Sequence, residues 1–184
     1  LNLQSKNVKD KQALDLFKES QNRIKSMALI HEKLYQSKDL ARIDLSDYIR
    51  NLVAHLFRSY AVNGEAIRLK LNVRDVMLGI DTAIPCGLII NELVSNSLKY
   101  AFPTGMDGEL RVELQPAAEG QYLLTVADTG VGIPKDFDLR KSGSLGLRLV
   151  TTLTDQLGGT VEIHNSGGTE FKITFAELKY KERG

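Results

Sequence analysis

Cysteine is nearly absent: Cys86 is the only one among 184 residues. That excludes an intrachain disulfide and any metal site built from a cysteine cluster, and it suits a reducing cytosol. Cys86 itself reads as a small buried apolar residue. Charge of one sign is missing too. With 24 Lys and Arg against 23 Asp and Glu the formal net charge is +1, and no basic run interleaves with aromatics. Neither a nucleic-acid footprint nor a membrane surface is indicated. Apolar stretches reach only a few residues, far short of the roughly 20 that span a bilayer, and no leader-like segment opens the chain. There are no repeats and no low-complexity linkers. The patterns GxxxxGK(S/T), GxSxG, HExxH and CxxC are also absent, which removes Walker-type loops, serine nucleophiles and metal hydrolases.

What is present is an ordinary soluble balance, 42% hydrophobic and 26% charged. Glycine and proline are missing from residues 11–38, where Phe17, Ser20, Ile24, Met27, His31 and Leu34 alternate at spacings of three and four. That seam predicts a helix packed in a hairpin or bundle, with His31 turned toward the bundle interior. LNLQS would close the preceding antiparallel helix and KNVKD would form the turn. Because the chain opens abruptly on Leu1, it is expected to be a fragment.

A second helix is expected from Leu45 to Ala61, capped by Asp44 and stopped at Asn63-Gly64, with His55 on its solvated face. Alternation in AIRLKLNV and VMLGI predicts two strands. A third helix follows from Thr82 to Ala101, then a hairpin of ELRVELQ and QYLLTVAD across PAAEG. The glycine-rich stretch from Thr129 to Gly146 precedes the helix LGLRLVTTLTDQL. TVEIHN, with His164 exposed, and TEFKITF close the chain. The order predicts an α+β fold, a two-layer α/β sandwich of three helices on one face of a mostly antiparallel sheet, preceded by a helical hairpin remnant. The division falls at residues 1–40 and 41–184.

Four stretches carry chemistry. In NELVSNSLKYAF, at about 100° per residue, Glu92, Asn96, Lys99 and Tyr100 share one stripe beside an apolar face. A carboxylate, a neutral oxygen, a cation and a ring are parts of a magnesium-nucleotide site: Asn96 could join the Mg²⁺ shell, Lys99 neutralise phosphate and Tyr100 lie against a nucleotide ring. In VADTGVGIP a strand-end Asp128 precedes Gly130 and Gly132, a geometry that lets backbone approach a flat ligand while the carboxylate accepts from an exocyclic amine. In SGSLGLRLV, Gly143 and Gly146 open a helix whose N-terminal amides suit anions. GGTEFKITF presents Thr169 before the last strand.

In this order the four motifs resemble the ATP-binding fold shared by sensor histidine kinases, Hsp90 chaperones, type II topoisomerases and MutL-like ATPases. The match is best to two-component sensor histidine kinases: NELVSNSLKYAF is similar to their N box, DTGVGIP and SGSLGLRLV to their glycine boxes, and LNLQS and IHEKLYQS to their dimerisation region. The resemblance implies ATP and Mg²⁺ as cofactors, with Asn96 as the Mg²⁺ ligand, Lys99 on phosphate, Tyr100 packed on the nucleotide and Asp128 reading adenine. Gly130 and Gly132 would shape the base pocket, Gly143 and Gly146 the phosphate lid, and Thr169 would support adenine through water. Glu92 departs from the Asn common in such kinases, and would act as a general base on an imidazole or a water. The alternative is a serine kinase or ATPase of the same fold. The implied partners are a response regulator receiver domain, an upstream sensor domain and a second copy of the chain, in the cytoplasm. The acceptor histidine would lie upstream of Leu1, leaving this fragment unable to autophosphorylate.

Overall fold

A computed structural model describes residues 11–36, 42–60, 66–73, 76–104, 106–134, 137–141, 143–165 and 167–178. The expected LNLQS helix end, the KNVKD turn and the Asn63-Gly64 stop lie outside the described residues. The elements are α1 (Lys11–Gln36), β1 (Arg42–Asp44), α2 (Leu45–Ser59), β2 (Ile67–Val73), β3 (Met77–Gly79), α3 (Ile80–Asn96), β4 (Gly108–Pro116), β5 (Gln121–Asp128), α4 (Leu145–Gln156), β6 (Thr160–His164) and β7 (Glu170–Ala176).

Five strands form one sheet in the order β2-β4-β5-β7-β6. Every neighbour pair is antiparallel except β2–β4. Alternation sets the inner face: Leu110, Val112 and Leu114 of β4 and Phe171, Ile173 and Phe175 of β7 are buried, while Arg111, Glu170 and Lys172 form ion pairs on the opposite face. The register lines up Val112, Val126 and Phe171, and likewise Leu114, Leu124 and Ile173, so these rungs of the inner face are apolar across three strands, while Leu110 pairs with Asp128 at the sheet's end. β1 and β3 make a separate antiparallel pair, which the alternation of the sequence does not announce.

The layer over the sheet is α2, α3 and α4, as expected. Asp44 caps α2, its carboxylate accepting from Ser46 N at 2.8 Å, and Tyr48, Ile49, Leu52, Val53 and Leu56 are buried. α3 is buried along nearly its whole length. It starts two residues before the expected Thr82, and its last turn, Ser97–Ala101, widens into a π-helix. His55 is half-buried rather than solvated, and burial together with Lys25 and Arg58 lowers its pKa. His164 is exposed as expected. Cys86 is fully buried, and burial pushes its thiol pKa up to about 12, so it behaves as an inert apolar group.

α1 packs on α2, α3 and β1, with Leu29 against the core. Asn22 and Ser26 are buried there, whereas Ile24 and Met27 of the expected seam are exposed, 53% and 47%. The backbone of His31 and Leu34 belongs to α1, but their side chains lie outside the described residues.

One contact locks α2 to α3. Tyr48 is fully buried, donates its hydroxyl to Ser26 O at 3.2 Å, and lies against Gly87 so closely that a Cβ there would collide with its ring. The ring cannot retreat inside a filled core. Gly87→Ala is expected to lower the unfolding free energy by about 1–3 kcal/mol, the usual scale of overpacking, as measured by urea denaturation; an unchanged midpoint would contradict this packing.

Candidate functional site

The buried carboxylate of Asp128, at the end of β5, organises the site. The residue is 8% exposed. Its Oδ1 accepts from Gly130 N at 3.0 Å and Thr169 N at 3.2 Å, and its Oδ2 from Ser97 Oγ at 2.8 Å. Its own amide donates to Thr169 O at 2.8 Å. Three donors offset the desolvation of the charge, and Oδ2, with one donor, keeps capacity for another. These bonds join β5 to the π-turn after α3, to the glycine loop and to the entry of β7.

The glycines around it have separable roles. At Gly130 a Cβ would strike the backbone of Ala101, whose carbonyl accepts from Val131 N at 2.9 Å, so the loop lies flush on the π-turn. Gly132 has φ +75° and abuts Asn165, whose amide in turn donates to Ile133 O. Gly168 has φ +129°, and a Cβ there would collide with Asp128 O. Gly146, at the start of α4, is where Glu92 makes its close approach. Gly143 is exposed and touches nothing that would require a glycine.

Beside Asp128 opens a cavity of about 330 Å³. Leu93, Ile133, Phe137, Leu147 and Phe171 make it apolar, while Asn96, Asp128 and Thr169 place polar atoms on its wall; Tyr100 and Gly132 also line it. Tyr100 is 68% exposed, so it sits at the rim. A mostly apolar cavity with one convergent carboxylate suits an aromatic base that carries a donor.

A second recess of about 240 Å³ is lined by Glu92, Asn96, Lys99, Tyr100, Ser144 and Gly146, among others. Asn96, Tyr100 and Ser144 line both spaces, so the predicted stripe on α3 runs along the pair. Ser144 also caps α4, its hydroxyl accepting from Leu147 N at 3.4 Å. Two lining groups, Asn91 Oδ1 and Ser95 Oγ, are buried without a hydrogen-bond partner among the described residues. Such orphans cost about 1–3 kcal/mol each, and hard oxygens beside Asn96 and Glu92 fit a magnesium ion chemically. No group of three or more His, Cys, Asp and Glu among the described residues could hold a metal. A cation here would therefore rely on amide and hydroxyl oxygens, with further oxygens from a ligand or water.

The charges in this recess are already engaged by α1. Glu92, 5% exposed, receives both Nε and Nη2 of Arg23 at 2.7 Å, and Asn91 Nδ2 at 3.0 Å. Lys99 pairs with Glu19. Burial works to lower the pKa of Lys99, but the hydrogen bond and charge of Glu19, with Tyr60 and Tyr100, outweigh it, and the net shift is upward. The bond to Glu92 likewise raises the pKa of Arg23. Sequence reading missed Ser97, Glu19 and Arg23. Ser97 follows Asn96 inside the motif and could have been found on the helix face toward Asp128. The other two pair across 69 and 80 residues and leave no local signal.

Comparisons with known proteins point one way. Residues 1–60 match a family model described as histidine kinase, and residues 81–179 match one described as histidine kinase-, DNA gyrase B- and HSP90-like ATPase. The sensor histidine kinase PdtaS of Mycobacterium tuberculosis is 30% identical over 169 residues, covering 90% of this chain and 33% of that protein. Blue-light-activated histidine kinase 2 of Erythrobacter litoralis is 32% identical over 140 residues, covering 73% of this chain and 40% of the other. The chain thus spans about a third of the length of the PdtaS relatives. Among solved structures, the histidine kinase domain of an Erythrobacter litoralis blue-light-activated kinase superposes with a TM-score of 0.78 at 25% identity, covering 85% of this chain and 74% of that one.

The Asp128 knot has a direct consequence. Asp128→Ala leaves Ser97 Oγ, Gly130 N and Thr169 N without their acceptor, so urea denaturation should register a loss of about 2–4 kcal/mol, with faster amide exchange at Gly130 and Thr169. Unchanged exchange at those two amides would show that the carboxylate does not hold the loop.

Proposed function

Since the chain belongs to the two-component histidine kinases and contains their kinase core, we propose that it binds Mg-ATP in the paired cavities and transfers the γ-phosphate to a histidine of a helical hairpin, for relay to an aspartate on a response regulator receiver domain. The observation that carries this reading is the Asp128 carboxylate, held by three donors at an apolar slot that opens toward Asn96, Glu92 and Lys99.

In this reading Asp128 Oδ2 accepts the exocyclic amine of adenine, and Leu93, Ile133, Phe137, Leu147 and Phe171 cover the ring faces. Thr169 supports adenine through water, Gly130 and Gly132 shape the base pocket, and Tyr100 packs on the nucleotide at the rim. Gly143 and Gly146 belong to the phosphate lid, and Lys99 contacts phosphate. Asn96 would hold Mg²⁺, which supplies charge neutralisation on the phosphates. Phosphoryl transfer asks the chain mainly to position and neutralise. Glu92 is the general base that polarises the acceptor imidazole.

Residues 1–40 form the hairpin part and residues 41–184 the ATP-binding domain of this reading. The outward apolar residues Ile24 and Met27 support homodimerisation through the hairpin, and an upstream sensor domain supplies the input. No helix among the described residues is long and apolar enough to cross a membrane, and we assign the chain to the cytoplasm. A second reading, a serine kinase or ATPase with Glu92 acting as general base, draws on the position of Glu92 in the second recess. Phosphate release by the wild-type chain that is lost in Glu92→Ala would favour it, since an ATPase turns over without an acceptor histidine.

Titration calorimetry tests the nucleotide site. Asp128→Asn is expected to weaken ATP and AMP alike by at least about tenfold, the scale of one charged hydrogen bond, whereas Asn96→Ala should weaken ATP only when Mg²⁺ is present. Equal ATP affinity in wild type and both variants would refute the assignment.

A further inference from the structure

The face that α1 presents to the domain carries buried polar residues, Asn22 and Ser26, with Leu29 packed against the core beside them. Asn22 donates to the Tyr60 hydroxyl at 3.3 Å and accepts from Ser59 Oγ at 3.2 Å, and the four charges Lys99, Glu19, Arg23 and Glu92 alternate in sign across the gap between α1 and α3. The Lys99–Glu19 and Arg23–Glu92 pairs cross that gap, and a 3.7 Å pair between Arg23 and Glu19 links them on α1. An interface held by hydrogen bonds and ion pairs gives up less on exposure to water than an apolar one, and anions can compete for its cations.

Glu19 lines the same 240 Å³ recess as Asn96, Lys99 and Glu92. In chemical terms its carboxylate is an anion bound to Lys99 where a phosphate oxygen would bind. It therefore occupies the cation and adds a negative charge to the space that terminal phosphates would fill. Arg23 acts on the other group: its guanidinium engages both oxygens of Glu92, so neither is presented free to an acceptor.

We propose that α1 is a built-in competitor of the nucleotide phosphates: the Glu19–Lys99 and Arg23–Glu92 pairs clasp it on α3 in a restrained state, and terminal phosphates on Lys99 release it. The proposal rests on the nucleotide reading above and adds its regulation. Docking of α1 and binding of the phosphate tail oppose each other by one coupling free energy, so weakening either favours the other. A nucleotide without the tail does not reach Lys99 and leaves the clasp closed.

Glu19→Gln tests this in the full 184-residue chain. The site is on a helix surface with the side chain 24% exposed, so glutamine is accommodated. Glutamine removes the negative charge that pairs with Lys99 and frees the cation, so ATP affinity by calorimetry should tighten about tenfold, while AMP affinity changes less than about twofold. Glu162→Gln, the same charge change on the far strand β6 where the side chain is 69% exposed, should alter neither. In wild type, saturating ATP but not AMP should speed amide exchange across residues 19–27 of α1. ATP affinity unchanged or weakened in Glu19→Gln, or parallel tightening of ATP and AMP, overturns the clasp while leaving the nucleotide site standing. Absence of ATP and AMP binding in every variant overturns the nucleotide reading and the clasp with it.

Discussion

A carboxylate withdrawn from water must be given donors, and Asp128 shows how far that requirement reaches. Its partners come from three places: Ser97 in the π-turn that ends α3, Gly130 in the following loop, and Thr169 at the start of β7. Serving one charge brings the end of a helix, a loop and two strands to one point. The glycines then follow from crowding, because Gly130 lies against Ala101 and Gly168 against the Asp128 carbonyl with no room for a Cβ. The widened turn belongs to the same arrangement, since it presents Ser97 to the carboxylate and the Ala101 carbonyl to Val131 N.

Two kinds of attachment coexist in the molecule. The sheet and the layer α2, α3 and α4 are joined by a continuous apolar core. α1 is joined to that body through buried Asn22 and Ser26, through ion pairs and through Leu29, with Ile24 and Met27 left outside. Amphipathic helices usually bury their apolar side; here Leu29 packs against the core while Ile24 and Met27 point away from the domain. The attachment of α1 is thus more polar than the contacts that join the sheet to its helical layer.

Much of this architecture was legible in the sequence because it is local. Alternation marks β4, β5 and β7, Asp44 marks the start of α2, and the stripe on α3 follows from helical geometry, so Glu92, Asn96, Lys99 and Tyr100 do line one recess. Period-two alternation names a strand but not its neighbour, which is why the parallel β2–β4 pair and the small β1–β3 sheet were not foreseen. The spacing of α1 marks an apolar seam, but spacing reports that a face is apolar and not what covers it; Ile24 and Met27 of that seam do not face the domain. Ion pairs between residues 69 and 80 apart have no periodic trace, and they alter the reading of the site most, since they engage both Glu92 and Lys99.

The central claim is that Asp128 reads an adenine base and that the phosphates point toward Asn96 and Lys99. The most direct measurement is a crystal structure of the chain with Mg²⁺ and a non-hydrolysable ATP analogue. The account predicts the exocyclic amine of adenine within hydrogen-bonding distance of the Asp128 carboxylate, with the ring between Leu93, Ile133 and Phe171 and the phosphates in the recess beside Asn96. A nucleotide bound elsewhere, for example on the charged outer face of the sheet near Arg111, or no nucleotide at saturating concentration, would contradict it.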